Sequence, residues 1–484
     1  MNELAFKSAG ELAGLVADKQ VSSLELTEYF IARIEQYADL NAVVVPDFER
    51  ALAAARAADA ALSRGQNLGP LHGLPMTIKE SYNVAGLKTT WGFPMWSEIV
   101  AREDAAVVTA FKSAGAHFLG KTNVPLMLGD YQSYNEIYGQ TNNPWDPARS
   151  PGGSSGGSAA AMAAGLSALD SGSDIGGSIR NPAHYCGVYG HKPTHGIVPI
   201  AGHQPPVVEV SNGVDLAVVG PLARSAEDLT LAMEVIAGPM PLQKPGWQLR
   251  LPVTRARKLS EMRVAIWADE AAAPVDQQIA ARALEVGKIL QRLGAQVSTQ
   301  ARPEMDMQAS ALSYVYLMQA VNNAGVPEPV YQQNLQAAQA FAEDDLSMDA
   351  VFARAAIQSH REWLAHDNTR LRARLAWRTF FTDWDVLICP ISATVAFPHD
   401  HRPFNERSLM VNGAQRPYFE SSFWAGMTSL PGLPSTVFPT GLSDVGLPIG
   451  LQAVAGEFED HTAIEFARLI AAEIGGYQAP PAYI

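Results

Sequence analysis

The sequence predicts one large α/β domain, a parallel or mixed sheet with helices on its faces. Three observations carry that prediction. Arg263 to Trp267, then Ile279, Ala283, Val286, Leu290 and Leu293 at helical spacing, then Gln296 to Ser298 read as strand, helix and strand. Such a unit lays helices against a sheet. Short apolar strands recur elsewhere, and no internal repeat, low-complexity tract or clear linker divides the chain. Residues 1–484 are therefore expected to form a single unit, although length alone suggests two or three.

The elements follow in order. Ser22 and Glu25 make a capping box, and Leu26, Phe30, Ile34 and Tyr37 continue at helical spacing. A second helix carries Phe48, Leu52, Ala55, Ala58 and Leu62, with Gly65 as its C-terminal stop. Leu74 to Ile78 reads as a short apolar strand that delivers Lys79 at its end. Ala116 to Leu119 reads as a buried strand after a helix ending near Ala114. Gly and Ser dominate residues 150 to 180, interrupted by a small-residue helix from about Ser158 to Leu166. Residues 304 to 380 read as mostly helical, with Met305, Met307, Met318 and several aromatics expected in the core. A lid or substrate wall is the rival reading of that segment. Asp385 to Cys389 and Ile449 to Val454 return to strand.

Composition excludes several classes. Hydrophobic residues make up 47% and charged residues 17% of the chain, a globular balance. A net charge of −14, with no Lys/Arg-rich run, repels a phosphate backbone and argues against nucleic acid as a partner. Cys186 and Cys389 are too few for a disulfide framework and too far apart for a zinc site. The N-terminus lacks a basic start followed by an apolar core, so no signal peptide is read. No stretch approaches the roughly 18 apolar residues of a membrane helix. A reducing cytoplasm fits these features.

Two motifs are rejected on context. Gly115 to Thr122 matches the P-loop pattern, but its interior Ala-His-Phe-Leu favours a buried strand over a loop that wraps phosphates. Gly152 to Gly156 satisfies Gly-x-Ser-x-Gly around Ser154, and the pattern repeats one residue later around Ser155. A nucleophile elbow needs a buried strand directly before it. Pro144, Pro147 and Pro151 deny it that strand.

Three features survive: a strand ending in Lys79, the run Gly152 to Ser158, and the run Gly172 to Arg180. Glycine pairs beside serines let backbone approach a reacting centre. A single run of this kind is ordinarily a flexible loop. Two of them, separated by a small-residue helix that permits close packing, are harder to dismiss. A serine hydroxyl needs a base to become a nucleophile. A lysine serves if burial disfavours its charged form, although a lone lysine is ordinarily a solvated charge. Successive amides at Ile175, Gly176, Gly177 and Ser178 offer a pocket for the oxyanion of acyl transfer.

These runs closely resemble the amidase signature of amidases, fatty-acid amide hydrolases and the A component of the transamidosome. Asn181-Pro182-Ala183 and Cys186 to Thr194 add to the likeness. So do His72 to Pro75 with Lys79, Gly120 to Asn123 and Gly446 to Gln452. The likeness covers most of the chain and is strongest over about residues 70 to 200. Lys79 precedes Ser154 by 75 residues and Ser154 precedes Ser178 by 24, in keeping with the family's pattern.

The resemblance implies one central mixed, twisted sheet covered by helices on both faces. It implies Ser178 as nucleophile, Ser154 as a proton relay after a cis peptide bond at Gly153–Ser154, and Lys79 as general base. It implies Ile175, Gly176, Gly177 and Ser178 as the oxyanion hole. Asp174 and Arg180 become a charge pair bracing the nucleophile loop, and Ser155 a supporting hydrogen-bonding residue.

The chain departs from the family where Leu126 to Asp130 replaces more polar residues. Leu128 and Gly129 therefore suggest an apolar, roomy acyl pocket. The expected reaction is hydrolysis of small or medium amides with an apolar acyl or aryl portion, with esters and carbamates (urethanes) as further substrates. No metal or other cofactor is implied, and a monomer or homodimer is expected. The alternatives are the glutamine-hydrolysing A component of a transamidosome and a non-catalytic protein on the same fold. His184, His191 and His195 lie near Ser178 in sequence, but lysine and relay serine leave a histidine no proton to transfer.

Overall fold

A computed structural model describes residues 2–208 and 214–484. Its largest sheet has eight strands in the order Gln296–Ser298, Arg263–Ile266, Val386–Cys389, Pro448–Val454, Ser435–Leu442, Tyr189–Lys192, Val218–Ala223 and Asp170–Asp174. The first three are parallel, and every later pairing is antiparallel. The sheet is therefore mixed, as expected.

The parallel end arises from the strand–helix–strand unit legible in the sequence. Helix Gln277–Arg292 buries Ile279, Ala283, Val286 and Leu290 between its two strands. Every residue of Val386–Cys389, Pro448–Val454 and Asp170–Asp174 is buried. Successive side chains of a strand point to opposite faces, so both faces of the sheet are covered.

A second, three-stranded sheet pairs Val43–Pro46 with His117–Thr122 and the latter, in parallel, with Pro75–Lys79. The Thr77 amide donates to Leu169 O at 3.1 Å, immediately before the edge strand Asp170–Asp174. The end of one sheet is thus laid beside the edge of the other, which sets Lys79 next to the Gly/Ser runs.

Local chemistry explains the remaining elements. The Ser22–Glu25 capping box starts helix Ser23–Gln36, and Gly65 at φ 76° follows helix Phe48–Ser63. The P-loop look-alike is the fully buried strand His117–Thr122. The small-residue helix spans Gly156–Ala163, two residues earlier than expected, and all of it is buried. Residues 304 to 380 form helices Met307–Asn323, Glu328–Gln339, Met348–Ala355 and the long His360–Asp383. Met318, Tyr314, Trp377 and Phe380 are core residues there, whereas Met305 and Met307 are half-buried. Cys186 and Cys389 are buried free thiols. Among the described residues no helix is long and apolar enough to cross a membrane.

Candidate active site

Lys79 ends a strand with all five residues buried, and its own side chain is sealed from water. Its Nζ lies 2.7 Å from Ser154 Oγ and 2.9 Å from Ser173 Oγ. Burial disfavours the ammonium and lowers its pKa to about 7, against the opposing pull of Asp174 and Asp170. The amine is thus partly neutral near pH 7 and can accept a proton from a hydroxyl 2.7 Å away.

Ser154 follows a cis peptide bond, Gly153–Ser154, and is 1% exposed. The loop before it threads tightly past residues 130 to 132. A Cβ on Gly153 would run into Asp130 O and meet Gln132 N at 2.9 Å, which no side chain tolerates. Ser155 ties this loop to the neighbouring strand, its Oγ accepting from the Ser173 amide at 3.4 Å. The Ser155 amide donates to Ser178 O at 3.1 Å, bringing the two serine runs together. At 7% exposure, Ser178 is the least sealed of the three implied catalytic side chains. Among the described hydrogen bonds none joins Ser154 Oγ to Ser178 Oγ. The bonded pair is Lys79 with Ser154, supported by Ser173.

The turn at Ser178 is held from below by Asp174 and Arg180, both side chains without exposure and 2.9 Å apart. Asp174 also accepts from the amides of Gly177 at 2.8 Å and Ile179 at 3.1 Å. Burial alone would push its carboxyl up, but the Arg180 charge and these hydrogen bonds hold it at about 2. Arg180 distributes its remaining donors to Thr428 Oγ1 at 2.5 Å, Gln452 Oε1 at 3.0 Å and Ser429 Oγ at 2.9 Å. A buried arginine satisfied on every side is a rigid brace.

The expected oxyanion pocket needs one correction. The Gly177 amide is already donated to Asp174, whereas no acceptor is described for the amides of Ile175, Gly176 and Ser178. The reason lies in the peptide planes. Tyr131 Oη donates to Gly176 O at 3.0 Å and Tyr314 Oη to Ile175 O at 3.3 Å. A trans peptide directs its N–H opposite to its C=O. Turning the Gly176 carbonyl toward Tyr131 therefore turns the Gly177 amide toward Asp174. In the same way Tyr314 turns the Gly176 amide away from itself.

Leu128 is only half-buried and Gly129 is exposed, between Met127, 42% exposed, and Asp130. The segment reaches the Ser178 turn through Tyr131. Sequence reasoning misses Tyr131, Tyr314, Ser173 and Asp170. Ser173 lies inside the run Gly172 to Arg180, but no spacing marks its contact with Lys79. The tyrosines come from distant parts of the chain and carry no motif.

The neighbouring histidines are structural. His184 packs between Thr394 O at 3.1 Å and the Gly450 amide at 2.7 Å. His191 meets Thr436 Oγ1 at 2.9 Å and Asp460 Oδ1 at 3.1 Å. Among the described hydrogen bonds neither they nor His195 reach Ser178.

Known proteins share this arrangement of chain. The family model for Amidase matches residues 25–464. The A component of the glutamyl-tRNA(Gln) amidotransferase of Moorella thermoacetica is 32% identical, with 96% of this chain and 96% of that protein covered. Indoleacetamide hydrolase of Bradyrhizobium diazoefficiens is 31% identical, covering 96% of this chain and 86% of its own length. The solved structure of 6-aminohexanoate cyclic dimer hydrolase complexed with substrate superposes with a TM-score of 0.78 at 26% identity, over 99% of this chain and 100% of that one. The chain belongs to the amidase family, enzymes that hydrolyse carbon–nitrogen bonds other than peptide bonds.

Proposed function

We propose that the chain hydrolyses small or medium amides with an apolar acyl or aryl portion through an acyl-enzyme on Ser178. The observation that carries this reading is a water-sealed Lys79 Nζ lying 2.7 Å from Ser154 Oγ, on a loop bonded to the Ser178 turn. Neutral Lys79 takes the Ser154 proton while Ser154 takes that of Ser178. Ser178 Oγ then adds to the substrate carbonyl. The amides of Ile175, Gly176 and Ser178 receive the oxyanion. Collapse expels the amine, which leaves with a proton from Ser154 that Lys79 replaces. Water, activated by the same relay, hydrolyses the acyl ester and returns Ser178 to its hydroxyl form.

The substrate class rests on Tyr131 and Tyr314 flanking the turn and on relatives named for indoleacetamide and a 6-aminohexanoate cyclic dimer. Esters, and carbamates with the same carbonyl geometry, are expected as further substrates. The test is a panel of aryl amides, esters and carbamates on the purified chain, with Lys79→Ala and Ser178→Ala beside it. Turnover of at least one aryl amide, reduced by about two orders of magnitude or more in Lys79→Ala, is expected. Near-normal turnover by Lys79→Ala would remove the lysine from the mechanism. Cleavage of amides without any cleavage of aryl carbamates would remove the urethane-cleaving part alone.

A second reading, glutamine hydrolysis as the A component of a transamidating complex, is favoured by the 32% identical relative. It predicts dependence on partner proteins. Activity of the isolated chain on a simple amide decides against it.

A further inference from the structure

Asp170 lies on the strand that reaches Lys79 through Ser173, bonds to Thr77 two residues before Lys79, and has no task in the acyl-transfer scheme. It opens strand Asp170–Asp174, which also carries Ser173 to Lys79, and is fully buried. Its Oδ2 accepts from Thr77 Oγ1 at 2.6 Å and from Thr122 Oγ1 at 3.5 Å. Thr122 Oγ1 in turn lies 2.8 Å from Ser158 Oγ, on the helix behind Ser154. The second oxygen, Oδ1, has no hydrogen-bond partner among the described residues. No described ion pair includes this carboxylate.

The geometry connects it to the base. Thr77 and Lys79 are two residues apart on one strand and therefore share a face. That face lies on strand Asp170–Asp174, with Thr77 reaching its first residue and Lys79 its fourth. Burying a carboxylate without an arginine is costly, and a core position could hold an apolar side chain instead. Burial pushes the Asp170 carboxyl up to about 7, with the hydroxyls of Thr77, Ser158 and Thr122 pulling the other way.

Few other charges face the pair. Asp174 pulls on Lys79 more strongly than Asp170 does, but paired with Arg180, which has Lys192 beside it, it stays ionised throughout and supplies a constant background. Tyr82 Oη lies 3.0 Å from Ser171 Oγ on the same strand as Asp170. His203 contacts Ser81 and is held neutral by burial. Lys121, next to Thr122, points the opposite way, to Thr89 and the Glu80 carboxylate.

We propose that Asp170 is a positioning residue for the base, a buried carboxylate held by Thr77 whose negative charge keeps a proton on Lys79 longer than burial alone would. The acid edge of activity then belongs to the pair and not to the lysine alone. The inference rests on Lys79 being the base. Its sign is fixed: removing a nearby negative charge destabilises the ammonium, so Lys79 becomes neutral at lower pH.

The experiment follows the rate at which a fluorophosphonate labels Ser178, between about pH 5 and about pH 9, so no natural substrate is needed. Wild type, Asp170→Asn, Thr77→Val and Lys79→Ala are compared, with circular dichroism and melting curves for each. Asp170→Asn keeps an acceptor for Thr77 and loses the charge. Its acid midpoint is expected to move to lower pH, by up to about one unit, since Asp170 carries only part of its charge near pH 7. Thr77→Val removes the hydroxyl that favours the ionised carboxylate, and a smaller shift in the same direction is expected. A purely structural role changes the melting temperature and leaves the midpoint in place. An unmoved midpoint in folded Asp170→Asn overturns the proposal; if that variant does not fold, Thr77→Val decides by the same criterion. Labelling that survives in Lys79→Ala overturns the assignment of the base itself, a result distinct from an unmoved Asp170→Asn midpoint with Lys79→Ala inert.

Discussion

Lys79 shows how a single residue sets function against stability. Its ammonium is sealed from water and directly contacts only hydroxyls, so burial outweighs the pull of Asp174 and Asp170 and the folded chain releases its proton far below the ordinary value of 10.5, at about 7. The unfolded chain keeps that proton until about pH 10.5. Between those two values the unfolded state binds more protons, and stability rises with pH. The penalty for holding this lysine is therefore complete below about pH 7, and it is gone above about pH 10.5. Lys79→Met is expected to raise the melting temperature at pH 6, with a gain that shrinks steadily toward pH 10, while abolishing turnover. A melting temperature unchanged or lowered at every pH would show that the buried ammonium costs nothing. Turnover should run the other way in wild type, rising through about pH 7 as the amine becomes neutral.

Among the elements, helix Gly156–Ala163 illustrates why the signature is so poor in side chains. It starts two residues after Ser154 and is buried along its whole length. The Gly157 amide donates to Asn123 O at 3.2 Å, and a Cβ on Gly157 would run into the Asn123 backbone and meet Ala42 O at 3.0 Å. The helix thus seats its first turn against the end of strand His117–Thr122. Gly157→Ala forces those backbones apart and is expected to cost about 1–3 kcal/mol of stability. It also draws Ser154 from Lys79, so fluorophosphonate labelling should fall together with the urea midpoint. Wild-type labelling in a destabilised Gly157→Ala would separate the helix seat from the site. Helix Met307–Asn323 acts from the other side. It contributes Tyr314 to the Ile175 carbonyl, so this part of residues 304 to 380 packs against the Ser178 turn.

Across the whole molecule, Arg33 joins parts far apart in sequence. It is 4% exposed, and its guanidinium donates to Gly165 O, Ala164 O and Tyr483 O, each at 2.9 Å. The first helices, the end of the helix behind Ser154 and the C-terminal residues are thereby clamped together. Arg33→Met strands three carbonyl acceptors and is expected to lower stability by about 3 kcal/mol. The loss should appear as one cooperative transition moved to lower temperature, in keeping with residues 1–484 as a single unit. Two separated transitions would instead divide the chain.

Much of this molecule is legible from residue order. Periodicity at Ile279, Ala283, Val286 and Leu290, the Ser22–Glu25 cap, and the apolar run into Lys79 are local signals. Local signals survive folding because they reflect one element burying one face. The spacing of Lys79, Ser154 and Ser178 is likewise visible, since each lies in its own short motif. Contacts between distant segments are not. Tyr131 on Gly176, Tyr314 on Ile175, Asp170 under Thr77, and the diversion of the Gly177 amide to Asp174 depend on how the two sheets and the helices are laid together. Residue order alone is enough for the class of fold, the family and the three short motifs that hold Lys79, Ser154 and Ser178. Packing sets which amides stay open, which tyrosines flank the Ser178 turn and which carboxylate lies under Thr77 on the Lys79 strand, because orientation and burial belong to no single segment.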